Sequence, residues 1–383
     1  MPLGQKFFPD KLLSVCDFAK AFNTVNLDIL LNKLSFYGIR GVAYNWFKSY
    51  LINRRQCVSI NGNNSSFLTV NSGVPQGSVL GPLLFLLYIN DICNSSELLD
   101  FFLFADDTSL RQSSDNLENL ETTFNQELEN VNDWLLANKL SLNVSKSNFV
   151  LFHPKQKKIN RTLLLRINND KIEESNCTKY LGVLIDKHLT WKSHINMIRT
   201  KLSKALGIIH KLKHVVPTQI LKLIYNSLFY PYLNYAIFNW GCAYTSTLNP
   251  LRILQKKAIR AILNENWNTH TPPLFHKLKL LTVDDIYKLQ TSLFMHDIYN
   301  NKLSKTFTSM FTPIENIHTY NTRQKMKQTF YKNKCRTNYK LNFISSYGIQ
   351  IWQEIDMDIR TKNRHLFKKH QLIYMYINIY EKL

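Results

Sequence analysis

The chain has 383 residues, of which 45% are hydrophobic, so its length and composition exclude a disordered tail and predict two or three domains. Its formal net charge of +21 indicates a polyanionic partner, with nucleic acid favoured over a membrane surface. The six cysteines form no close pair of the kind that binds zinc. The longest apolar run, residues 79–89, is far shorter than the roughly 20 residues of a membrane-spanning helix, so we expect no membrane partner.

The charged residues are distributed unevenly. Residues 1–186 carry 18 Lys+Arg and 18 Asp+Glu, residues 187–300 carry 15 and 4, and residues 301–383 carry 15 and 5. The net charges of the three segments are therefore 0, +11 and +10. A neutral first half beside a basic second half indicates chemistry in the first and polyanion binding in the second. A basic surface that serves only solubility is the alternative interpretation.

The first predicted elements are a strand, a helix and a hairpin. Residues 12–15 form an apolar, strand-like run that leads into Asp17, and leucines recur at helical spacing over residues 27–34. Residues 58–60 and 67–70 flank an Asn-Gly pair, which tolerates the positive φ values of a tight turn. We therefore expect these two segments to pair as a hairpin.

Two adjacent carboxylates are predicted near the tip of a second hairpin. Residues 98–105 and 108–110 are apolar or β-prone on either side of Asp106 and Asp107. Asp17 ends another apolar run, so neighbouring strands would bring Asp17 and Asp106 together. Asp107 would point to the other side of its strand, as a supporting carboxylate or as one that reaches the metal only through the bend. Such convergence is what a pair of divalent cations needs. Taken alone, an Asp-Asp pair is common in surface turns and is weak evidence.

The rest of the first half predicts a mixed fold. An apolar stripe over residues 117–135 predicts an amphipathic helix, with Ser114 or Asp115 as its N-cap. Further strands are expected at residues 148–152, 163–167 and 179–185. Together these elements give an α+β domain.

The second half has a helical period. An apolar stripe begins at Trp191, so we place a domain boundary near residue 187 and expect domains at 1–186, 187–300 and 301–383. Helical segments are predicted at 218–239, 251–263 and 283–300, bounded by Pro217, Pro250 and Pro272-Pro273. The last segment interleaves basic and aromatic residues: Tyr320, Arg323, Lys325, Lys327, Phe330, Tyr331, Lys332 and Arg336.

Three short segments occur in a fixed order along the first half. They read VCDFAKAF at 15–22, GVPQGSVLGP at 73–82 and FADD at 104–107. This set closely resembles polymerase motifs A, B and C of the reverse transcriptases of non-LTR retrotransposons, of the jockey-like type. The resemblance extends to LSLN at 140–143 with a following lysine, as in motif D, and to YLGV at 180–183, as in motif E.

The resemblance implies an RNA-directed DNA polymerase that joins dNTPs to the 3′-hydroxyl of a DNA primer on an RNA template. It implies two Mg²⁺ ions, with Mn²⁺ as an alternative, held by Asp17, Asp106 and the backbone of Phe18, with Asp107 in support. The implied architecture is an α+β palm, an antiparallel sheet with helices, at 1–186. A helical thumb follows, and then a basic, mainly helical C-terminal region.

The resemblance also implies substrate contacts. Phe22 corresponds to the aromatic gate that favours deoxynucleotides, and Lys146 to a lysine that protonates the departing pyrophosphate. The residues beside the incoming nucleotide and template correspond to Pro75, Gln76 and Gly77. The alternatives are an aromatic core residue for Phe22 and a solvated surface lysine for Lys146. For Pro75, Gln76 and Gly77, the alternative is an ordinary turn before a helix.

Nucleic-acid contacts are implied at two further places. Leu181 and Gly182 resemble the turn of the primer grip. The helix that begins after Trp191 resembles the thumb, where phosphates would be contacted by Lys192, Arg199, Lys201 and Lys204. A merely solvated helical face is the alternative for these four residues.

The sequence departs from the family pattern in several ways. Asn23 stands where motif A usually has an aspartate, and only 16 residues precede Asp17, where the family has a fingers subdomain. An endonuclease and a zinc knuckle are also not in this sequence. We therefore expect a truncated or decayed copy, or an incomplete gene model, that does not cut a target site by itself.

Three functions are compatible with this pattern. The first is an active RNA-directed DNA polymerase, and the second is a catalytically inactive, nucleic-acid-binding remnant of one. The third is a palm from another template-directed polymerase, encoded by an intron or a virus, which the Ala-Asp-Asp and Pro-Gln-Gly details disfavour. Localisation and oligomeric state are left open by the sequence.

Overall fold

The computed structural model describes residues 10–18, 21–157, 159–168, 170–317, 330–332, 334 and 341–380. The chain divides into two compact units, Met1–Leu189 and Thr190–Leu383. The division lies close to the expected boundary near residue 187, while the interpretation of the units as palm and thumb stays a prediction. The first unit combines a sheet with helices, so the α+β class is confirmed.

The first unit contains twelve strands and five α-helices among its described residues. The strands are β1 (Asp10–Asp17), β2 (Arg55–Gln56), β3 (Ser59–Ile60), β4 (Asn63–Asn64), β5 (Leu68–Thr69), β6 (Asp100–Phe104), β7 (Asp107–Ser114), β8 (Asn148–Phe152), β9 (Leu165–Ile167), β10 (Asp170–Glu174), β11 (Cys177–Tyr180) and β12 (Val183–Asp186). The helices are α1 (Ala21–Thr24), α2 (Leu27–Phe36), α3 (Gly41–Leu51), α4 (Leu80–Ile89), which continues as a 3₁₀ helix (Asn90–Ser95), and α5 (Leu117–Ala137).

The main sheet has six strands in the order β6-β7-β1-β8-β10-β9. β1 lies near its centre and is antiparallel to both β7 and β8, whereas β8 and β10 are parallel. Along β1, the alternating residues Leu12, Ser14 and Cys16 are buried, as expected for a strand with one face on the core. This placement fixes the end of β1 beside the start of β7.

The hairpin predicted from residues 58–60 and 67–70 is wrong in its pairing. The turn does fall at Asn-Gly, but β3 pairs with β4 immediately after it, and β5 pairs instead with β2. Asn61 and Gly62 both have positive φ, at 49° and 84°, as a two-residue hairpin turn requires. The Asn-Gly signal identifies the turn, but the turn closes the nearest possible pair of strands.

The amphipathic helix predicted at 117–135 is confirmed as α5, and its apolar stripe, including Phe124 and Leu128, is buried. Its predicted cap is wrong. The N-cap is Asn116, whose side chain accepts a hydrogen bond of 2.8 Å from the backbone N–H of Glu118. Ser114 still belongs to β7, which extends further than the apolar residues alone indicated.

A partly buried lysine joins α2 to the helices that follow the second motif. The Nζ atom of Lys33 donates to the Asp91 carboxylate at 2.6 Å and to the Tyr88 carbonyl at 2.7 Å. It also lies 4.8 Å from the centroid of the Trp134 ring. Burial lowers the pKa of Lys33, and the Asp91 carboxylate partly offsets this effect. The contacts hold α2, the end of α4 and α5 together behind the sheet.

The second unit is built from helices over its described residues. They are α6 (Lys192–Leu212), α7 (Thr218–Leu228), α8 (Tyr230–Asn234), α9 (Ile237–Trp240), α10 (Thr245–Leu263), α11 (Thr271–Leu278), α12 (Val283–Tyr299), α13 (Lys305–Thr308), a 3₁₀ helix (Ile314–Asn316), α14 (Ile344–Glu354), α15 (Met357–Arg360) and α16 (Arg364–Tyr380). Among the helices described in either unit, none is long and apolar enough to cross a membrane.

Two helical boundaries in this unit differ from prediction. The segment 218–239 is three helices rather than one, and the last break is at Ala236, which has a φ of 51°. Pro250 does not bound a helix but lies inside α10, which begins at Thr245. Burial of Leu248 and Leu251 on either side of the proline stabilises helical structure through it.

The helices after residue 340 share a core with α12. His296 of α12 is fully buried, and its Nε2 atom lies 2.9 Å from the carbonyl oxygen of Lys362. Phe330, one of the aromatic residues interleaved with basic ones, is buried against Phe311 at a ring-centroid distance of 5.6 Å. Five of the other interleaved residues lie outside the described residues, namely Tyr320, Arg323, Lys325, Lys327 and Arg336.

Candidate active site

The three acidic positions of the first and third motifs meet at one end of the sheet. In the antiparallel pairing of β1 with β7, the residue opposite Asp17 is Asp107. Phe104 of β6 is also opposite Asp107, so Ala105 and Asp106 form the turn between β6 and β7. The strands are adjacent, as predicted, although the residue directly across from Asp17 is Asp107 rather than Asp106.

The turn that carries Asp106 has an unusual backbone. Ala105 has a φ of 52°, a left-handed conformation that residues with a Cβ atom rarely adopt. Such conformations are concentrated at functional sites, where the surrounding structure enforces them. Here the enforcing structure is the β6-β7 pairing on both sides of the turn. Asp106 and Asp107 are both half-buried.

The residue types at this end of the sheet fit a divalent metal ion. Three carboxylate-bearing positions converge there, and hard cations such as Mg²⁺ prefer oxygen ligands. Among the residues that the structure describes, however, no group of three His, Cys, Asp or Glu side chains is placed to hold a metal ion. The fit therefore rests on the backbone register and on the chemistry of the residues.

The residue after Asp17 connects the first motif to the fourth. Phe18 forms an isolated antiparallel bridge with Leu142, and its side chain is buried in the core of the first unit. Lys146 follows in the same segment, with an exposed side chain. The backbone of the predicted metal ligand thus lies beside the loop that leads to the predicted proton donor.

Cys16 precedes the predicted metal ligand Asp17 but has no nucleophilic character of its own. It is fully buried, and burial raises the pKa of its thiol to about 11, against a weaker opposing effect from Ser14. A thiol is a good nucleophile only as the thiolate. Cys16 is therefore not a candidate nucleophile at this end of the sheet.

Backbone hydrogen bonds hold the second motif against the residues after the first. The N–H of Gly73 donates to the carbonyl of Val25 at 2.7 Å, and the N–H of Val74 donates to the carbonyl of Phe22 at 2.9 Å. The Oγ atom of Ser72 donates to the carbonyl of Asn23 at 3.0 Å. We refer to these contacts between residues 72–76 and 22–26 as the A–B clamp.

The A–B clamp leaves no space for a side chain at Gly73. A Cβ atom there would lie 2.9 Å from backbone atoms of both Phe22 and Asn23, which is closer than Cβ atoms normally approach. The φ of Gly73 is 82°, which also favours glycine. The carbonyl of Gly73 accepts a 2.5 Å hydrogen bond from Nη2 of Arg54. This glycine therefore determines how closely the second motif approaches the first.

The same contacts bring Gln76 to Asn23. The Nε2 atom of Gln76 donates to Oδ1 of Asn23 at 3.1 Å, and both side chains are exposed. Pro75 is half-buried and Gly77, with a φ of 77°, is exposed, and both lie in the same turn. The sequence singled out Asn23 as a departure and Gln76 as a substrate contact, but it did not predict that they pair.

Phe22 packs within the first unit. Its ring centroid lies 4.6 Å from that of the fully buried Phe85, and Phe22 itself is half-buried. This contact fixes the ring next to the A–B clamp. The role of Phe22 as a gate stays a prediction.

The fifth motif forms the tip of the β11-β12 hairpin. Leu181 and Gly182 have φ values of 45° and 80° and make the two-residue turn between the strands. The pKa of Tyr180, immediately before the turn, is raised by burial and further by the charge of Asp107. The hairpin tip therefore lies close to Asp107. Tyr180 was not among the predicted site residues, and its place in the YLGV segment was the signal that could have identified it.

A comparison with protein families identifies the segment that holds this site. Residues 9–185 match the family described as reverse transcriptase (RNA-dependent DNA polymerase). This segment is a reverse transcriptase domain. It contains all five motifs, and it ends within β12, before the second unit begins.

Curated relatives of the chain carry the same description. The probable RNA-directed DNA polymerase from transposon X-element of Drosophila melanogaster is 31% identical over 265 residues, which are 65% of this chain and 28% of that protein. The RNA-directed DNA polymerase from mobile element jockey of the same species is 30% identical over 262 residues, 63% of this chain and 27% of that protein. The chain thus aligns with less than a third of the length of these relatives.

Solved structures give a weaker likeness. The structure of Candida albicans telomerase with a fragment of telomeric RNA has 12% sequence identity and a TM-score of 0.37, and covers 72% of this chain and 50% of that one.

The predicted phosphate contacts lie outside the reverse transcriptase domain, on α6 of the second unit. The four side chains are exposed, namely Lys192, Arg199, Lys201 and Lys204. The Nζ atom of Lys201 lies 5.0 Å from the centroid of the Tyr232 ring. The opposite face of α6 is buried, so the helix is amphipathic with its cations outward.

Proposed function

We propose that the chain is an RNA-directed DNA polymerase, which transfers nucleotides from dNTPs to a primer 3′-hydroxyl under the direction of an RNA template. The observation that carries the proposal is the register of β1 and β7, which sets Asp17 opposite Asp107 with Asp106 in the adjoining turn. The reverse transcriptase domain at 9–185 supports the same reaction. The relatives named above are described as polymerases, which favours this function over an inactive remnant.

We assign the metal-binding role to Asp17, Asp106 and the backbone of Phe18. Bound Mg²⁺, or Mn²⁺ in its place, supplies activation of the primer hydroxyl and neutralisation of the charge on the leaving pyrophosphate. Asp107 supports the pair from the first residue of β7, close to Tyr180, whose pKa is raised by burial and by the charge of Asp107.

We assign nucleotide binding to the A–B clamp. Gln76 presents an amide, fixed by Asn23, that can hydrogen-bond the substrate, and Gly77 permits close approach of the backbone. Pro75 shapes this turn, and Phe22 lies beside it as the residue that would crowd a ribose 2′-hydroxyl.

The remaining roles concern the leaving group and the nucleic acid. Lys146 is exposed and is proposed to protonate the pyrophosphate. The turn at Leu181 and Gly182 is proposed to contact the primer. Phosphates of the primer-template are proposed to bind the exposed cations of α6, namely Lys192, Arg199, Lys201 and Lys204.

Primer extension tests the proposal. Purified chain would be given an RNA template, a DNA primer, Mg²⁺ and dNTPs, beside Asp106→Asn and the matched variant Asp170→Asn, which changes an exposed aspartate of β10. We expect template-directed synthesis by the unaltered chain and by Asp170→Asn. We expect at least a hundredfold loss in Asp106→Asn, since the removed charge can no longer hold the ion.

The possible outcomes distinguish an error in the metal-site assignment from an error in the proposed polymerase function. Synthesis that persists in Asp106→Asn would refute the assignment of the metal site. A folded, unaltered chain that extends no primer on any template would refute the polymerase function itself.

A further inference from the structure

Helix α3 in the first unit presents aromatic and apolar side chains to solvent. Trp46 is 52% exposed and Val42 is 87% exposed, although tryptophan is usually among the more buried residues. Arg40 immediately precedes the helix, and Lys48 lies in its last turn. Val42, Trp46 and Tyr50 recur every four residues along one side of the helix, whereas Lys48, two residues after Trp46, lies about 160° around it on the other flank of the exposed arc. We refer to Arg40, Val42, Trp46, Lys48 and Tyr50 as the α3 surface, across which a bound strand would pass from Trp46 to Lys48.

The aromatic side chains of the α3 surface are arranged before any partner binds. The rings of Trp46 and Tyr50 are stacked with centroids 5.6 Å apart and an interplanar angle of 5°. Phe47 meets the Trp46 ring edge-on at 5.1 Å. Tyr50 and Phe47 pack against the hydrophobic core, so they support the exposed indole of Trp46 on its core side. A supported ring stacks on a partner with little loss of conformational entropy.

The charge around α3 is of one sign. Between Asp28 and Asp91 the chain has five basic residues and no acidic one: Lys33, Arg40, Lys48, Arg54 and Arg55. Lys33 and Arg54 are engaged with Asp91 and with Gly73, respectively. The other three are exposed, and none forms an ion pair with a residue that the structure describes. The zero net charge of residues 1–186 conceals this acid-free stretch.

We propose that the α3 surface binds single-stranded nucleic acid, with a base stacked on Trp46 and phosphates bound by Arg40 and Lys48. Exposed aromatic rings combined with cations are how proteins bind single strands without reading their sequence. An aliphatic protein partner would account for Val42, but it gives no reason for the one-sided charge. The inference rests on the proposed function only in that the template is the expected single strand.

The role of the indole is tested by binding without synthesis. A fluorescently labelled single-stranded RNA oligonucleotide would be titrated with the full chain, and anisotropy recorded, for the unaltered protein, Trp46→Ala and Trp46→Phe. We expect Trp46→Ala to weaken binding at least about tenfold, because stacking on an aromatic side chain is lost. Trp46→Phe keeps an aromatic face and should lose less than about threefold.

The role of the cations is tested against an equal change of net charge. The pair Arg40→Glu with Lys48→Glu would be compared with the pair Lys155→Glu with Arg166→Glu, which are exposed residues of the same unit. We expect the α3 pair to weaken binding about tenfold more than the control pair at the same salt concentration. For the α3 pair, the slope of the logarithm of the binding constant against the logarithm of salt concentration should become shallower by about 1.4, since two phosphate contacts to a single strand are removed.

The other outcomes separate this inference from its alternatives and from the proposed function. Equal losses in the two charge-reversal pairs would mean that only overall charge matters, and unchanged binding by Trp46→Ala would exclude the stack. A self-associating chain whose association is abolished by Trp46→Ala would assign the α3 surface to a second copy. Binding that depends on Trp46 in a chain without polymerase activity would keep this inference and overturn the proposed function alone. Primer extension by a chain whose binding does not depend on Trp46 would keep the proposed function and overturn this inference.

Discussion

The two units of the chain are stabilised in different ways. At the functional end of the first unit, backbone atoms far apart in sequence contact each other directly, as in the A–B clamp, and glycine permits the approach. In the second unit, long helices bury polar side chains, some of which hydrogen-bond to one another. Gln255, for example, donates to the Tyr225 hydroxyl at 2.8 Å and accepts from the N–H of Val283 at 3.0 Å. The first arrangement is sensitive to an added atom, and the second to a lost or newly charged side chain.

A buried histidine of the second unit is expected to make that unit sensitive to acid. His194 of α6 is 2% exposed, and burial lowers its pKa from 6.5 to about 4. The folded unit therefore favours neutral imidazole, and the stability that this neutral form contributes is present above pH 6.5 and lost as the pH falls towards 4. The loss is as much as about 3 kcal/mol in the free energy of unfolding.

Hydrogen exchange of α6 peptides between pH 7 and pH 4, corrected for intrinsic exchange rates, measures this loss. In His194→Phe the titrating group is removed, so this component of the acid sensitivity should disappear. Equal acid sensitivity in the variant and the unaltered chain would show that other groups control the second unit.

The next effect tests the backbone contacts of the first unit. Gly73→Ala would place a Cβ atom 2.9 Å from backbone atoms of Phe22 and Asn23, at a φ of 82°. We expect the strain of the backbone to rise by about 1–3 kcal/mol and the second motif to be displaced. Primer extension should fall more than tenfold. Circular dichroism should show that the fold is kept.

A second glycine provides the control for backbone strain. Gly62 has a similar φ of 84°, but a Cβ atom there would meet nothing within 4 Å. Gly62→Ala should therefore lose about 1 kcal/mol in stability and leave synthesis nearly unchanged. Equal losses of synthesis in the two variants would mean that backbone conformation, and not close approach to the first motif, is what Gly73 provides.

The smallest effect concerns the exposed side chains of the A–B clamp. Asn23→Leu removes the acceptor of the 3.1 Å hydrogen bond from Gln76, while Asn23→Asp keeps one. An exposed hydrogen bond contributes about 0.5–1.5 kcal/mol, so the KM for dNTP should rise about threefold to tenfold in Asn23→Leu with kcat less affected. Asn23→Asp should retain the KM of the unaltered chain. A leucine variant with unaltered KM would remove Asn23 from the positioning of Gln76.

Much of the fold follows from local pattern in the sequence. The period of apolar residues predicts α5, α6 and α12, because each of these helices buries a stripe against its own unit. The apolar runs before Asp17 and Asp106 likewise predict adjacent strands. These features depend on residues near one another in the chain.

Features that depend on distant contacts could not be predicted. The partner of residues 67–70 is β2, which a turn signal at Asn-Gly cannot specify, since it identifies the turn and not the register. Most contacts of the A–B clamp are made by backbone atoms, which every residue has, so the residue types did not predict them. The α3 surface was missed because charge was summed over 186 residues, where acidic residues of other elements cancel it.

Ion binding where the end of β1 meets the start of β7 is a direct test of the metal-site assignment. Free Mn²⁺ would be followed by electron paramagnetic resonance as it is titrated into the chain with saturating dNTP, for the unaltered protein, Asp106→Asn and Asp170→Asn. We predict that Asp106→Asn binds at least one Mn²⁺ fewer than the unaltered chain, and that Asp170→Asn binds the same number. Equal numbers of ions in all three proteins would contradict the assignment of these carboxylates to the metal site.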